Sequence, residues 1–288
     1  MADPIPSHFS TEFTTNWIAR VAQTESKLMK FVAGRIEEFD GERKRFDRID
    51  KSTARRRTER KGATPTANLS TDSRWAYRLS DEVPAILLDR DDEKNLGALV
   101  LPTSRIVQNN GDCYNRSFDK LIVDTALGSV MTGEAGTTTT VFPAAQQIAH
   151  GSTGLTLAKL RAAKLKLRNA DVPDGGAILV VDPEQIDDLL AVTEVASNDY
   201  NALKALVDGK VEYFMGFQIV WFNNLPITST TRSCVVFHPD ALQFTSGMME
   251  TTIDRRADLS NATQIYSYWR YGGTRLHDES VVEIQCTE

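Results

Sequence analysis

Four histidines, three cysteines and a few neighbouring carboxylates are the side chains of this 288-residue chain that could do chemistry. His8, His150, His238 and His277 stand far apart, and none falls in a metal-ligand spacing such as His-Glu-x-x-His. Cys113, Cys234 and Cys286 are scattered and odd in number, with no Cys-x-x-Cys, so neither a zinc site nor a disulfide framework is expected. Such a set fits synthesis in a reducing cytosol. His238 precedes Pro239 at the end of an apolar run and reads as a structural histidine. Asp187-Asp188 and Asp91-Asp92-Glu93 are catalytic carboxylates on paper, but a helix start and a solvated loop account for them. There is no phosphate loop ending in Gly-Lys-Ser/Thr and no Gly-x-Ser-x-Gly. Gly175-Gly176 precedes an apolar strand instead of following one, which is the wrong order for a dinucleotide fingerprint. The chain reads as a non-enzyme, with no catalytic residue, cofactor or metal expected.

What remains is the chemistry of charge. Residues 43–61 hold ten Lys/Arg against three Asp/Glu, a local +7 inside a chain of net charge −6. The run includes Arg55, Arg56, Arg57, Arg60 and Lys61. A soft turn, Gly62 to Asn68, follows, and the chain returns as Arg74-Trp75-Ala76-Tyr77-Arg78-Leu79. Trp75, Tyr77 and Leu79 alternate with Arg74, Ala76 and Arg78, the period-2 pattern of a strand with one covered face. The expected covered face is the aromatic one. The simplest object is a two-stranded arm spanning 43–83. Limbs of about 12 residues at roughly 3.3 Å each reach about 40 Å. A lone hairpin is marginal in water, so the arm needs an acidic surface to lie on. The patch Asp81, Glu82, Asp89, Asp91, Asp92 and Glu93 is the candidate acceptor on another copy. Exposed ion pairs of this kind set register and partner choice, while buried aromatics such as Trp75 carry affinity. The same mixture of Arg and aromatic residues over 43–78 suits a nucleic-acid binder, the alternative reading, though the acidic remainder of the chain opposes it.

The elements that must position the arm can be read in order. Residues 10–33 have helical periodicity, with Phe13, Trp17, Val21 and Leu28 on one face and Gly34 as a stop. Residues 102–128 form the strongest helix, from Pro102 through Phe118, Leu121 and Ile122 to Gly128. At about 1.5 Å per residue it approaches 40 Å, long enough to be a spine. A Gly/Thr-rich junction spans 129–154. Beyond it lies an α/β lobe: a helix over 155–170, an all-apolar strand over 177–181, a helix from Pro183, another over 198–208, a strand over 211–222 interrupted by Gly216, and a strand over 234–237. Long strands close the chain. Ile265, Ser267, Trp269 and Tyr271 share one face, Gly272-Gly273 is expected to turn or bulge the chain, and the end strands are expected beside the spine helix. No run of about 18 apolar residues and no secretory signal appear, so no membrane role is expected.

Taken in order, these pieces resemble the major capsid proteins of tailed bacteriophages with the Hong Kong 97-type fold. The resemblance rests on Phe46-Asp47-Arg48-Ile49, Gly216-Phe217-Gln218-Ile219-Val220 with Asn224-Leu225-Pro226, and Phe237-His238-Pro239-Asp240-Ala241-Leu242. It continues through Arg255-Arg256-Ala257-Asp258, Ala262 to Tyr266, Tyr271 to Leu276 and Val281-Val282-Glu283-Ile284, and so covers nearly the whole chain. It implies an α+β fold in four parts: an N-terminal arm over 1–42, the extended β-hairpin loop over 43–83, a peripheral domain with the spine helix over 84–130 and 245–288, and an axial α/β domain over 131–244. It implies self-assembly, as hexamers and pentamers, into an icosahedral shell around a double-stranded DNA genome. The hairpin would contact a neighbouring subunit through Arg55, Arg56, Arg57, Arg60, Lys61, Arg74, Trp75, Tyr77 and Arg78. The resemblance also implies a separate scaffolding protein and a portal, leaves room for a decoration or cement protein, and brings packaged DNA near without a specific contact. It places the product in the virion after synthesis in the host cytoplasm. Some members weld subunits through a Lys–Asn isopeptide bond. Lys51 or Lys61 would be the lysine here, but no motif for the bond is present.

Overall fold

A computed structural model describes residues 23–39, 41–49, 52, 54–56, 71–88, 105–173, 175–191 and 213–288. In chain order the elements begin with α1 (Met29–Val32), a one-turn 3-10 helix (Ala33–Arg35), β1 (Ile36–Glu38), β2 (Arg43–Ile49), β3 (Thr71–Tyr77) and β4 (Leu79–Leu88). Then come α2 (Arg105–Leu127), β5 (Val130–Thr132), β6 (Thr138–Thr140), β7 (Gln147–Ile148), α3 (Leu157–Asn169), β8 (Ile178–Val181) and α4 (Pro183–Ala191). The remainder is strand: β9 (Tyr213–Phe214), β10 (Phe217–Trp221), β11 (Ile227–Thr228), β12 (Thr231–Phe237), β13 (Leu242–Arg256), β14 (Ala262–Arg275) and β15 (Val281–Thr287). No helix of the described residues is long and apolar enough to cross a membrane.

The spine helix α2 lies on a four-stranded sheet of order β1-β13-β14-β4. Strands β13 and β14 form a long antiparallel hairpin, with Leu242 opposite Arg275 and Arg256 opposite Ala262. As the alternation requires, Ile265, Ser267, Trp269 and Tyr271 point to the covered side. Phe118 of α2 meets Phe244 at 5.8 Å and Tyr271 edge-on at 6.2 Å, and Tyr114 meets Trp269 edge-on at 5.7 Å. Such edge-to-face pairs each stabilise by about 0.5–1.5 kcal/mol beyond area burial. Asn110 Nδ2 donates to Ser267 Oγ at 2.9 Å, which ties the buried polar residue of this helix face to β14. Gly272-Gly273 does not turn the chain: β14 runs straight through both. Their role is close approach. A Cβ at Gly273 would lie 2.4 Å from Thr125 Oγ1, and one at Gly272 would lie 2.5 Å from the Tyr77 carbonyl oxygen.

The second sheet has seven strands, β7-β15-β12-β8-β10-β9, with β11 added to β12. All four residues of β8 are buried, as an uninterrupted apolar run demands when both faces are covered. Thr156 caps α3 by accepting from Lys159 N, and Pro183 with Glu184 opens α4. Within its described part, 213–222, the expected strand interrupted at Gly216 is a hairpin that turns there. Met215 and Gly216 take φ of 52° and 84°, and β9 and β10 pair on either side. The expected helix over 198–208 lies outside the described residues. β15, expected with β13 and β14 beside the spine helix, pairs instead with β12 and β7. Its Val281, Val282, Ile284 and Cys286 are apolar and buried, and β12 offers them an open edge of matching length.

The expected helix over 10–33 is corrected within its described part. Residues 23–28 are non-helical, and only Met29–Val32 is α-helix. The reason is Asp119 of α2, which is fully buried. Its carboxylate accepts from Lys27 N at 2.9 Å and Leu28 N at 3.0 Å, and also from Ser26 Oγ and Gln23 Nε2. Asn115 Nδ2 donates to Thr24 O and Arg116 Nη1 to Gln23 O, each at 2.8 Å. The segment is thus strapped along the spine helix by that helix's own polar side chains.

Candidate functional site: the root of the arm

The third sheet, β2-β3-β5-β6, contains the hairpin read from the sequence. β2 and β3 pair antiparallel, Arg43 opposite Tyr77 and Ile49 opposite Thr71. β3 is tied to the body by only two pairs with β5, Arg74 with Thr132 and Trp75 with Met131. Beyond this root, Arg55 and Arg56 are exposed, and Ile49 is 65 % exposed. Arg57, Arg60 and Lys61 lie outside the described residues, as do Lys51, Asp89, Asp91, Asp92, Glu93 and the turn expected at 62–68.

The covered face is the opposite of the one expected. Arg74 and Ala76 are buried, whereas Tyr77 and Leu79 are exposed. The register supplies the reason. Phe46, the buried aromatic of β2, stands opposite Arg74, so turning Phe46 inward turns Arg74 inward as well. Trp75 lies on the other face, against the loop after β5. Its Nε1 donates to Gly133 O at 2.8 Å, and a Cβ at Gly136 would lie 2.8 Å from the indole. Arg43 stacks over the same ring at 4.9 Å and donates to Ala135 O at 3.0 Å, while Tyr77 Oη donates to Gly136 O at 2.8 Å. Arg78 donates to Gly41 O at 3.4 Å.

A buried arginine must be paired, and Arg74 is. Its Nη2 donates to Asp278 Oδ2 at 2.9 Å, and its Nε faces Asp72 Oδ2 at 3.3 Å. Asp278 also accepts from Arg275 Nε at 2.6 Å. Arg275 is fully buried and donates through Nη1 to Ala126 O at 2.9 Å and Gly128 O at 2.8 Å, the carbonyls that end the spine helix. A cation there also complements the helix dipole. Arg275 stacks on Phe142 at 4.8 Å as well. Arg48 completes the cluster, 3.3 Å from Asp72 across the hairpin and 3.0 Å from Leu276 O. One carboxylate, Asp278, therefore joins the arm to the end of the spine.

Sequence reasoning missed Asp278, Arg275 and Asp119. Arg275 and Asp278 pair at a spacing of three, which is too common to flag a site, and their other partners lie up to 204 residues away. The acids that were singled out and are described, Asp81 and Glu82, lie on β4. They accept from Tyr271 Oη and Tyr266 Oη of β14. Burial and the Asp81 carboxylate together push the Tyr271 phenol well up.

His277 sits beside this cluster in a cleft of about 420 Å³ that Arg48, Ile49, Asp171, His238, Asp240 and Glu279 also line. Burial, then the Arg48 charge, hold its imidazole below its usual pKa, against weaker opposing pulls from Glu279 and Asp240. The folded chain therefore binds this proton less readily than the unfolded chain does. The contribution is fully present above the unfolded value of about 6.5 and is lost as pH falls through the lower folded value. Thermal unfolding of the purified chain should show a midpoint that declines from about pH 7 downward, with part of that decline absent in His277→Gln. A variant with an unchanged pH profile would remove His277 from the account.

With the geometry described, comparison with known proteins adds the following. The family model described as phage capsid protein matches residues 5–288. No curated protein matches the sequence. Among solved structures, the capsid of Ralstonia phage GP4 superposes with TM-score 0.72 at 12 % identity, covering 99 % of this chain and 96 % of that one. A Mycobacterium phage Che8 structure superposes with TM-score 0.65 at 18 % identity, covering 99 % and 98 %. The mature capsid of bacteriophage PhiM1 superposes with TM-score 0.64 at 15 % identity, covering 96 % and 92 %.

Proposed function

The chain belongs to the phage capsid protein family, and from that membership we infer that it is a major capsid protein whose copies close into the icosahedral shell of a tailed phage. The Hong Kong 97-type α+β fold, shared over nearly the full chain with phage capsid structures, supports this reading. The alternative, a free nucleic-acid-binding protein using 43–78, has no support in the family match. Shell building is work done by surfaces, and it needs no catalytic group.

We propose that the arm over 43–83 is the main grip between copies. The observation that carries this is the contrast along the hairpin. Its root is fixed to its own chain by Asp278 and Trp75, while Arg55 and Arg56 farther out are exposed. Arg43, Lys44, Arg45 and Arg48 at the root are engaged within the chain, so the charge left for another molecule is that of Arg55, Arg56 and the Lys/Arg residues that follow them in sequence. Arg55, Arg56, Arg57, Arg60, Lys61 and Arg78 are the proposed contacts, with acids such as Glu82, Asp89, Asp91, Asp92 and Glu93 on the receiving copy. Arg74, Trp75, Tyr77 and Asp81 act through their own chain: they hold the arm and its neighbouring strand at a fixed angle.

The proposed division is 1–42 as N-terminal arm, 43–83 as extended loop, 84–130 with 245–288 as peripheral domain, and 131–244 as axial domain, with β15 reaching into the axial sheet. Copies would meet around five-fold and six-fold axes through the axial part. A scaffolding protein and portal are proposed partners, with DNA nearby without a specific contact, and synthesis in the host cytoplasm.

The test is charge reversal. Arg55, Arg56, Arg57 and Arg60, all changed to Glu, should leave a folded chain, because Arg55 and Arg56 are exposed beyond the root contacts and the other two follow them in sequence. Negative-stain microscopy and light scattering should then find no shells where the unaltered chain gives them. Normal shells from the variant would remove the arm from the mechanism. A failure of the unaltered chain to form any large particle would remove the shell reading itself.

A further inference from the structure

We propose that a second copy lodges an arginine of its arm, Arg55 or Arg56, in a cleft between Glu250, Thr252, Tyr266 and Tyr268, on the face of the β13–β14 hairpin turned away from the spine helix. This rests on the shell reading above and names the place where the arm is received. The side chains of β14 alternate. Ile265, Ser267 and Trp269 are buried toward α2, so Tyr266 and Tyr268 stand on the opposite face. The register sets Thr252 across from Tyr266 and Glu250 across from Tyr268. The four line a cleft of about 210 Å³. That is below the roughly 300–1,000 Å³ of a small-molecule pocket and suits a single side chain.

The lining suits a guanidinium. Aromatic rings attract a cation over their faces, and planar arginine stacks there better than lysine does. The chain already does this once: Arg270 lies over Tyr268 at 5.3 Å, and its Nε donates to Tyr268 Oη at 2.9 Å. Glu82 of β4 pairs with Tyr268 and accepts from Tyr266 Oη, a bond that pushes the Tyr266 phenol up. Glu250 is exposed and has no hydrogen-bond or ion-pair partner among the described residues. Against Glu82, Glu250 and Asp254 stand Arg270 and Arg78, while Arg256 is paired with Asp258. The surplus is negative, so the face repels phosphate and attracts a cation. The chain's own arm leads away from it. Arg55 and Arg56 lie past the Ile49–Thr71 end of the hairpin, whereas β4 departs from the Tyr77 end with Arg78 alone between β3 and β4. One residue is too short a link to reverse a strand. The arginine that fills the cleft therefore comes from another copy.

The test exchanges the charges. Glu250→Arg changes an exposed side chain with no partner to lose, so the thermal midpoint of the chain should stay within about 2 °C. Light scattering should show the concentration needed for shell formation raised at least about tenfold. Combining E250R with Arg55→Glu and Arg56→Glu should bring that concentration back to within about threefold of the unaltered chain. Contact is read directly in particles carrying Arg55→Lys and Arg56→Lys, assembled from a mixture of isotope-labelled and unlabelled copies and treated with a carbodiimide. Peptide mass spectrometry should find position 55 or 56 of one copy joined to Glu250 or Glu82 of another. Shells from E250R at the unaltered concentration would overturn the proposal, as would failure of the exchanged charges to restore assembly, or links confined to single copies. In each of those cases the unaltered chain still forms shells and the capsid reading stands. An unaltered chain that forms none would overturn both.

Discussion

Asp278→Ala should lower the stability of the folded chain by about 3–5 kcal/mol, the usual cost of removing one partner from a buried charged cluster. Asp278 is the carboxylate shared by Arg74 and Arg275, whose side chains are 4 % and 0 % exposed. Without it two guanidinium groups stay buried with too few acceptors. Arg74 Nη1 and Arg275 Nη2 already lack hydrogen-bond partners in the intact cluster, so there is no spare acceptor to turn to. Burial already pulls the Arg275 pKa down, and Asp278 is the acid that opposes that pull. The loss should appear as a fall of about 10 °C in the thermal midpoint of the purified chain. It should also appear as faster amide exchange in β3, which Arg74 helps to hold on the body. Asp278→Glu should recover part of the loss and Asp278→Asn little of it. A midpoint within about 1 °C of the unaltered chain would show that the arm is held by something else.

The second large effect is expected at Asp119. Two backbone N–H groups and two side chains converge on its carboxylate. Asp119→Ala strands the N–H groups of Lys27 and Leu28 at a site where Leu28 is wholly buried. Each unpaired donor costs about 1–3 kcal/mol, so the variant should be less stable by roughly 3 kcal/mol. Because Ser26 Oγ also accepts from Met29 N at 2.9 Å, loss of Asp119 should loosen the first turn of α1. Limited proteolysis gives the discriminating readout. Cleavage near residues 23–28 should become fast in the variant while the spine helix stays resistant. Unchanged cleavage would mean that Leu28 and Val32 packing alone holds the segment down.

Much of the scaffold was legible because it is written in local periodicity. The 3- and 4-residue steps through Phe118, Leu121 and Ile122 announced the spine, and the apolar run ending in Val181 announced a buried strand. The return limb of the arm announced itself by alternation. Alternation says that a strand has two faces, however, and not which one is covered. Trp75 and Tyr77 looked like the covered face because they are large and aromatic. Arg74 took the inward place because Phe46 opposite it is buried and because Asp278, distant in sequence, supplies its counter-charge. The start of α1 was misread for a related reason. Residues 23–28 have a helical pattern, but Asp119 captures the N–H groups of Lys27 and Leu28. In both places a single carboxylate overrides the local preference, and single carboxylates leave no pattern in a sequence. The acids that did stand out and are described, Asp81 and Glu82, serve the tyrosines of β14.

The placing of β15 between β7 and β12 has a consequence for the order of events on the ribosome. Translation delivers β12 about 50 residues before β15, and until residues 281–287 emerge β12 has one edge open and β7 has no strand partner. The lobe built on this seven-stranded sheet is therefore unfinished in a nascent chain for as long as β15 is still in the exit tunnel. A half-made subunit cannot present a completed lobe to a growing shell, so a polypeptide stalled short of residue 281 should be left out of particles instead of poisoning them.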